Sequence, residues 1–182
     1  MMPSTSGCPY QTLPAYPESC GSGAVLSRLV AGLGFRLHWA TDGLLDEDAS
    51  FRAHPEASSI GEVLEHIGQM VVWIHGEFTR GLSNGSVLPD LPQEHSFTQR
   101  RAHCLESLAL LESDLVRMDA EQLSAVRIES QRGDRPFWVA LNGPLADALT
   151  HVGQISVWRR QLGKPAPASD PFDGLPPAAN EG

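Results

Sequence analysis

One eight-residue pattern occurs twice in this chain and carries the side chains best suited to chemistry. It reads H-I-G-Q-M-V-V-W at 66–73 and H-V-G-Q-I-S-V-W at 151–158. An acid stands four residues before the histidine in each copy, Glu62 in the first and Asp147 in the second. Residues four apart lie on one face of a helix, so each copy presents a carboxylate beside an imidazole. Two helices of one chain are therefore predicted to carry the same pair of polar groups.

His66, Asp147 and His151 are the candidate metal ligands. If the two helices are neighbours, these side chains converge. Two imidazoles and one carboxylate form a three-ligand site for Zn²⁺, Ni²⁺ or Fe²⁺ that leaves positions open for water or a ligand. Such an ion lowers the pKa of a bound water or thiol toward neutrality. The alternative for the two histidines is an ordinary hydrogen-bonded role at the edge of the core.

The two acids of the repeat are predicted to differ in role. Glu62 is the third residue after Ser59 in an S-x-x-E capping box, which favours a capping role over a ligand role. Asp147 lies near the start of the last helix, where the helix dipole favours an acid. For Asp147 we weigh the ligand role and the dipole role equally.

Other side chains are predicted to line a cavity beside the ligands. The repeated tryptophans are expected in its wall, and the repeated glutamines could orient a ligand histidine or cap a buried polar group. His38 on the first helix is also expected in the wall, because that helix must border a central cavity. The predicted wall consists of His38, Gln69, Trp73, Gln154 and Trp158. The matching glycines Gly68 and Gly153 indicate close approach of two helices.

Four stretches have the apolar spacing of amphipathic helices, at about 24–44, 59–81, 96–118 and 142–163. Capping boxes mark the second and third starts, and Asn142-Gly143-Pro144 marks the last. The intervening stretch 119–142 fits either a short hairpin or an irregular crossover, with 137–139 extended. The sequence therefore predicts an all-α fold, a four-helix bundle with a long crossover before the last helix. The predicted organisation is an extended leader at 1–22, the bundle at 23–165 and a Pro-rich tail at 166–182.

The bulk composition excludes several classes. A net charge of −9, with no basic stripe, argues against a nucleic-acid partner. There is no signal peptide pattern and no apolar run that could span a membrane, so the cytoplasm is the expected location. Three cysteines without a C-x-x-C motif predict neither a disulfide framework nor a structural zinc site. Cys104 falls on the apolar side of its helix and is predicted to be core.

Two further types of active site are not favoured. A di-iron carboxylate bundle needs acids from all four helices and Glu-x-x-His spacing, whereas the spacing here is one residue longer. A serine or cysteine nucleophile site lacks a nucleophile-elbow motif.

These motifs resemble the DinB/YfiT-like superfamily. The likeness rests on Ser-Ile-Gly-Glu at 59–62 followed by His66, on Pro-Leu-Ala-Asp-Ala-Leu-x-His-Val-Gly-Gln-Ile at 144–155, and on Trp-Arg-Arg-Gln-Leu-Gly-Lys-Pro at 158–165. It covers about 24–165. The resemblance implies a four-helix bundle with a divalent metal held by one histidine of the second helix and two of the last. Carried over, the outer ligands are His66 and His151, and the middle ligand falls on Asp147, where this chain departs from the family's histidine.

The resemblance also implies a function. Characterised members include transferases and isomerases that use low-molecular-weight thiols such as bacillithiol or mycothiol, and many are homodimers. We therefore expect a metal-dependent enzyme, such as a thiol S-transferase or a related hydrolase or isomerase, with a small-molecule substrate or thiol. A second apolar stripe on the first helix, Phe35 and Trp39, predicts either a central position for that helix or a homodimer contact. The alternative is a non-catalytic helical bundle that binds a small ligand or a protein and holds no metal.

Overall fold

Four long helices make up most of the computed structural model, which describes residues 7–80, 82, 84–88 and 95–178. In chain order the elements are α1 (Ser22–Thr41), a 3₁₀ turn (Asp48–Ser50), α2 (Ile60–Thr79), α3 (Phe97–Leu115), α4 (Ala120–Ala125), β1 (Arg127–Ile128), β2 (Arg135–Pro136), α5 (Trp138–Ala140), a wide π-type turn (Leu141–Leu145) and α6 (Ala146–Gln161). The predicted all-α class is confirmed, since the strands have only two residues each.

The four long helices pack around one apolar core. The main packing pairs are α1 with α3, α3 with α2, α2 with α6, and α6 with α1. This order places α1 and α2 diagonally, although they are consecutive along the chain, and it places α3 and α6 on the other diagonal. The connections from α1 to α2 and from α3 to α6 therefore both cross between diagonal positions, where the sequence predicted one crossover. Because α2 and α6 are neighbours, the two copies of the repeat face each other.

The predicted start signals of α2 and α3 are confirmed. The Ser59 hydroxyl accepts a hydrogen bond from the Glu62 amide at 3.2 Å, and the Glu62 carboxylate accepts one from the Ser59 amide at 2.9 Å. Ser96 and Gln99 form the same reciprocal pair. Glu62 also forms a two-pronged contact with the Arg52 guanidinium. Its carboxylate is thus engaged at the helix start, as the capping motif predicts.

The stretch before α6 combines a hairpin with helix. β1 pairs antiparallel with β2, with Ile128 opposite Arg135, so the hairpin alternative is confirmed there. A short helix that the sequence reading missed, α4, begins at its own capping box between Asp119 and Gln122. The prediction of an extended 137–139 is wrong, because the backbone is already helical from Trp138. Periodicity gives little information over such short elements.

The end of α6 and the residues after it, Trp-Arg-Arg-Gln-Leu-Gly-Lys-Pro at 158–165, contact the end of α1 and the 3₁₀ turn. Arg159 is buried, and its guanidinium donates to the carbonyl oxygens of Trp39 and Ala40 at 3.1 and 3.0 Å. The Lys164 ammonium contacts both carboxylate oxygens of Asp48 at 2.8 Å. The end of α6 therefore satisfies carbonyl groups at the end of α1, which would otherwise lack partners.

The described part of the leader packs on the bundle. The Tyr10 ring is buried over Gly34 of α1, and its hydroxyl donates to Glu112 of α3 at 2.8 Å. Burial raises the pKa of Tyr10 and also that of Glu112. The Leu13 amide donates to the Gly174 carbonyl at 3.1 Å, so leader and tail meet each other as well. The leader therefore contacts the bundle through Tyr10 and the tail through Leu13, while residues 14–22 are exposed.

The second apolar stripe of α1 lies within the chain. Phe35 is fully buried, and Trp39 is partly buried against the core. The burial of Phe35 fits the first alternative for this stripe, a central position of α1. The second alternative, a homodimer contact, stays a prediction. No helix in the described ranges is long and apolar enough to cross a membrane.

Candidate metal site

His66, Asp147 and His151 come together where α2 faces α6. Each offers one ligand atom, and the three atoms lie within 4.8 Å of one another. The Nε2 atoms of His66 and His151 approach the same carboxylate oxygen, Asp147 Oδ2, at 3.5 and 3.3 Å. The two imidazole rings meet edge to face, with centroids 5.1 Å apart and planes at 83°. The structure thus contains a compact His/Asp/His cluster that could hold a metal ion.

The distances to Asp147 are compatible with shared metal ligands. N–H···O bonds usually measure about 2.7–3.2 Å between heavy atoms, and both contacts are longer. Two ligands held at about 2.0–2.2 Å by one tetrahedral zinc ion are themselves roughly 3.3–3.6 Å apart. Both distances involving Asp147 fall in that range. The limit of 4.8 Å for the whole set leaves the cluster somewhat more open than a tetrahedron.

The two helices place these side chains at the edge of the core. On α2, the neighbours Ile67 and Leu64 are fully buried, whereas the His66 side chain is 49% exposed. On α6, Asp147 lies in the first turn and is 50% exposed, and His151 one turn later is 19% exposed. The cluster is therefore open to solvent on one side. That opening would give a bound ion room for a further ligand.

Gln154 fixes the orientation of one ligand. The His151 Nδ1 lies 2.8 Å from the Gln154 side-chain oxygen, one turn further along α6. With the amide oxygen facing Nδ1, as in this structure, the contact favours the tautomer that carries its proton on Nδ1. That tautomer would leave Nε2 to bind a metal ion shared with Asp147, as ligand histidines usually require. Of the two roles left open for Gln154, this contact fits the orienting one.

A groove of about 690 Å³ adjoins the cluster. Two predicted wall residues, Gln69 and Trp73, line it together with Met70 and the ligands His66 and Asp147. The sequence reading missed the opposite wall, which consists of Asn142, Gly143, Pro144, Ala146 and Thr150. Its signal was present in the Asn-Gly-Pro start of the last helix, which forms the wide turn before α6. The Trp73 side chain is 40% exposed and presents an aromatic surface to this groove.

The structure does not bring the other predicted wall residues to this groove. Trp158 is partly buried against the core and does not line it. His38 is buried on α1, where its Nδ1 lies 2.9 Å from the Pro9 carbonyl oxygen of the leader. Burial, and next the nearby Arg101, lower the pKa of His38. The leader thus occupies the side of α1 on which the sequence suggested a cavity.

Two other sequence-based assignments are wrong. A surface or loop position is expected for His75 from the sequence, but it is buried and its Nε2 lies 3.0 Å from the fully buried carboxylate of Asp114. Ser86 donates to the same carboxylate through its amide and hydroxyl groups, so this cluster ties a loop to α3. The matching glycines Gly68 and Gly153 do not mark close helix contact, since a Cβ at either position would meet no atom within 4 Å.

The predicted core position of Cys104 is confirmed. It is 1% exposed, and burial raises the pKa of its thiol to about 12. A thiol with that pKa stays protonated at neutral pH and is a poor nucleophile. The His/Asp/His cluster is therefore the candidate site that the geometry favours.

In comparisons with known proteins, the chain matches no family model and no curated protein significantly. The resemblance to the DinB/YfiT-like superfamily stays a prediction, and the candidate site rests on its own geometry.

Proposed function

We propose that this chain is a metal-dependent enzyme that binds one divalent transition-metal ion through His66, Asp147 and His151. The substrate is a small molecule held in the adjoining groove. The observation that carries the proposal is the approach of two imidazole Nε2 atoms to one carboxylate oxygen at ligand–ligand distances. We include the DinB/YfiT-like assignment of the bundle and the expected cytoplasmic location in this proposal.

The ligand set defines which ions fit. Two neutral imidazoles and one carboxylate give a mixed nitrogen and oxygen site with one negative charge, which suits Zn²⁺, Ni²⁺ or Fe²⁺. Three protein ligands leave at least one coordination position open, and the exposure of Asp147 places that side of the cluster at the groove. The donors therefore match a catalytic metal site better than a closed structural one.

The bound ion would supply Lewis acidity and lower the pKa of a thiol or water in the open position. The chain's own residues supply binding and orientation. Trp73 and Met70 offer an apolar and aromatic wall to the substrate, and Gln154 holds His151 in its ligand tautomer. We propose a low-molecular-weight thiol as the nucleophilic substrate, because the resemblance implies a thiol S-transferase or a related hydrolase or isomerase.

The experiment combines metal analysis with thermal stability in untagged protein. We expect Zn²⁺, Ni²⁺ or Fe²⁺ to raise the melting temperature, because a ligand of the native state stabilises it. The His66→Ala/His151→Ala double variant should lose both the bound metal and the shift. The matched control is His54→Ala/His103→Ala, which also removes two imidazoles and should keep both.

Equal metal content in the two double variants would rule out this site. No shift with any of the ions, and no metal in the purified protein, would favour the alternative, a non-catalytic bundle that binds a small ligand or a protein.

A further inference from the structure

A second groove runs where the Pro-rich tail crosses α1 and α6. It consists of two adjoining cavities of about 490 and 390 Å³ that share Arg36, Leu149 and Pro171. None of its lining residues belongs to the groove beside the metal ligands. It is therefore a separate candidate site.

The charge of this groove is opposite to that of the chain. Arg28, Arg36 and Arg160 line it, and no acidic residue does so in the described part of the chain. The whole chain has a net charge of −9, and several of its other cationic side chains pair with carboxylates, as Arg52 does with Glu62. A local excess of guanidinium groups attracts an anion in spite of the overall charge.

The three arginines remain available to a ligand. Arg36 donates only to the Gly32 carbonyl of its own helix, at 3.1 Å, and Arg160 has no ion pair among the described residues. The Arg28 guanidinium donates to Pro14 and lies over the Tyr16 ring, 4.5 Å from its centroid. A guanidinium has five N–H donors, so each group retains donors for a carboxylate.

The groove also offers apolar surface. The partly exposed Leu29, Trp39 and Leu149 line it, and the exposed ring of Phe172 stands at one edge. Ser156 and Ser169 supply hydroxyl groups beside this surface. Gly153 provides space, since no atom lies within 4 Å of the position that its Cβ would occupy. An amphipathic ligand could therefore lay an apolar body along the apolar surface while its charged head meets the arginines.

The tail forms a fixed wall of this groove. Asp170 and Leu175 pair across a tight turn, and the Gly174 carbonyl accepts a hydrogen bond from Leu13 of the leader. Gly174 itself packs against the Leu13 side chain. A preformed wall reduces the ordering cost of binding.

We propose that this groove binds a small amphipathic carboxylate, with its carboxylate at Arg36 and Arg160 and its apolar body between α6 and the tail. The site is independent of the proposed metal chemistry. Octanoate is the probe, and octan-1-ol is its neutral counterpart of equal chain length.

Calorimetric titration in the presence of EDTA tests binding, because the chelator removes coordination of octanoate to a metal. Amide chemical shifts then locate the ligand. We expect octanoate to bind with shifts centred on Gly153 and residues 166–171, and octan-1-ol to bind at least about tenfold more weakly, the effect of losing one charged hydrogen-bonding group. The Arg36→Gln/Arg160→Gln double variant should bind octanoate more weakly by a similar factor.

Three further variants separate a specific site from general effects. Gly153→Leu should block the groove without disturbing the packing, whereas Gly68→Leu, at the matching glycine of α2, should leave the affinity unchanged. Arg132→Gln/Arg135→Gln removes the same charge from the exposed hairpin and should also have no effect. The proposal fails if octanoate does not bind, if it binds no better than octan-1-ol, or if Gly153→Leu binds it as tightly as the unmodified chain.

Discussion

His66 on α2 and His151 on α6 stand edge to face, with ring centroids 5.1 Å apart, and the carboxylate of Asp147 lies near both. The repeat in the sequence thus corresponds to a meeting of two helices at one site. Its two copies contribute unequally, because Glu62 forms a cap and contacts Arg52, whereas Asp147 faces both histidines.

Asp147→Asn should weaken metal binding by roughly 100-fold or more, since replacing even a hydrogen-bonding partner of a ligand commonly costs 10–100-fold. The change keeps the shape of the side chain and removes its negative charge. Asp147→His should retain binding, because an imidazole is also a common ligand of these metal ions. Competition with a chromophoric chelator measures both affinities. Equal affinity of Asp147→Asn and the unmodified chain would exclude Asp147 as a ligand.

Gln154→Ala should lower metal affinity by about 10- to 100-fold without removing a ligand. The physical reason is loss of the 2.8 Å contact that holds the proton on His151 Nδ1. Gln154→Glu should restore tight binding, since a carboxylate also accepts from Nδ1. The control is Gln69→Ala, whose side chain in the repeat's other copy contacts Glu65 rather than a histidine. If Gln154→Ala binds the metal ion as tightly as Gln69→Ala does, Gln154 does not orient His151.

Gly68→Ala and Gly153→Ala should each stabilise the fold by up to about 1 kcal/mol, the difference in helix propensity between the two residues. Both positions are open, so the added methyl group meets no neighbour. Gly23→Ala is the contrasting variant and should destabilise, because its Cβ would clash with the carbonyl oxygens of Leu115 and Met118. Urea unfolding measures all three. If Gly68→Ala and Gly153→Ala are less stable than the unmodified chain, the two glycines do lie at a close contact between helices.

Because of the buried His38, the free energy of unfolding should decrease as the pH falls from 7 to 5. Burial, followed by Arg101, lowers the pKa of His38 in the folded chain, while the unfolded chain has the ordinary value of about 6.5. The unfolded chain then takes up a proton that the folded chain resists, so stability is present above the unfolded pKa and is lost on acidification. The nearby groups are the Pro9 carbonyl, Arg101 and Asp42.

His38→Asn should reduce this loss of stability, and its free energy of unfolding should be compared with that of the unmodified chain at pH 7 and pH 5. His54→Asn is an exposed control. If the difference between His38→Asn and the unmodified chain is the same at both pH values, the burial of His38 does not govern the acid response.

The sequence predicted those parts of the molecule whose signals are local. The capping boxes at Ser59 and Ser96 and the helical spacing of the apolar residues located α2 and α3, because a cap and an amphipathic stripe need only a few neighbouring residues. The three candidate ligands could be named because the repeat fixes their phase on two helices. Their convergence required the long-range fact that α2 and α6 are neighbours.

Features that depend on distant contacts were missed or misplaced. The burial of His75 depends on Asp114, thirty-nine positions away, and no local pattern reveals that pair. The position of His38 depends on the leader, whose composition resembles that of a loose segment although Tyr10 anchors it to α3. A glycine in a helix looks the same in sequence whether it permits close contact, as at Gly23, or faces open space, as at Gly153.

The most direct test of the metal proposal is element-specific anomalous scattering from crystals of untagged protein grown with Zn²⁺. We predict a peak between the Nε2 atoms of His66 and His151 and the Oδ2 atom of Asp147, which disappears in His66→Ala/His151→Ala. A cluster without an anomalous peak at saturating Zn²⁺, with the three side chains arranged as they are in this structure, would contradict the proposed metal site.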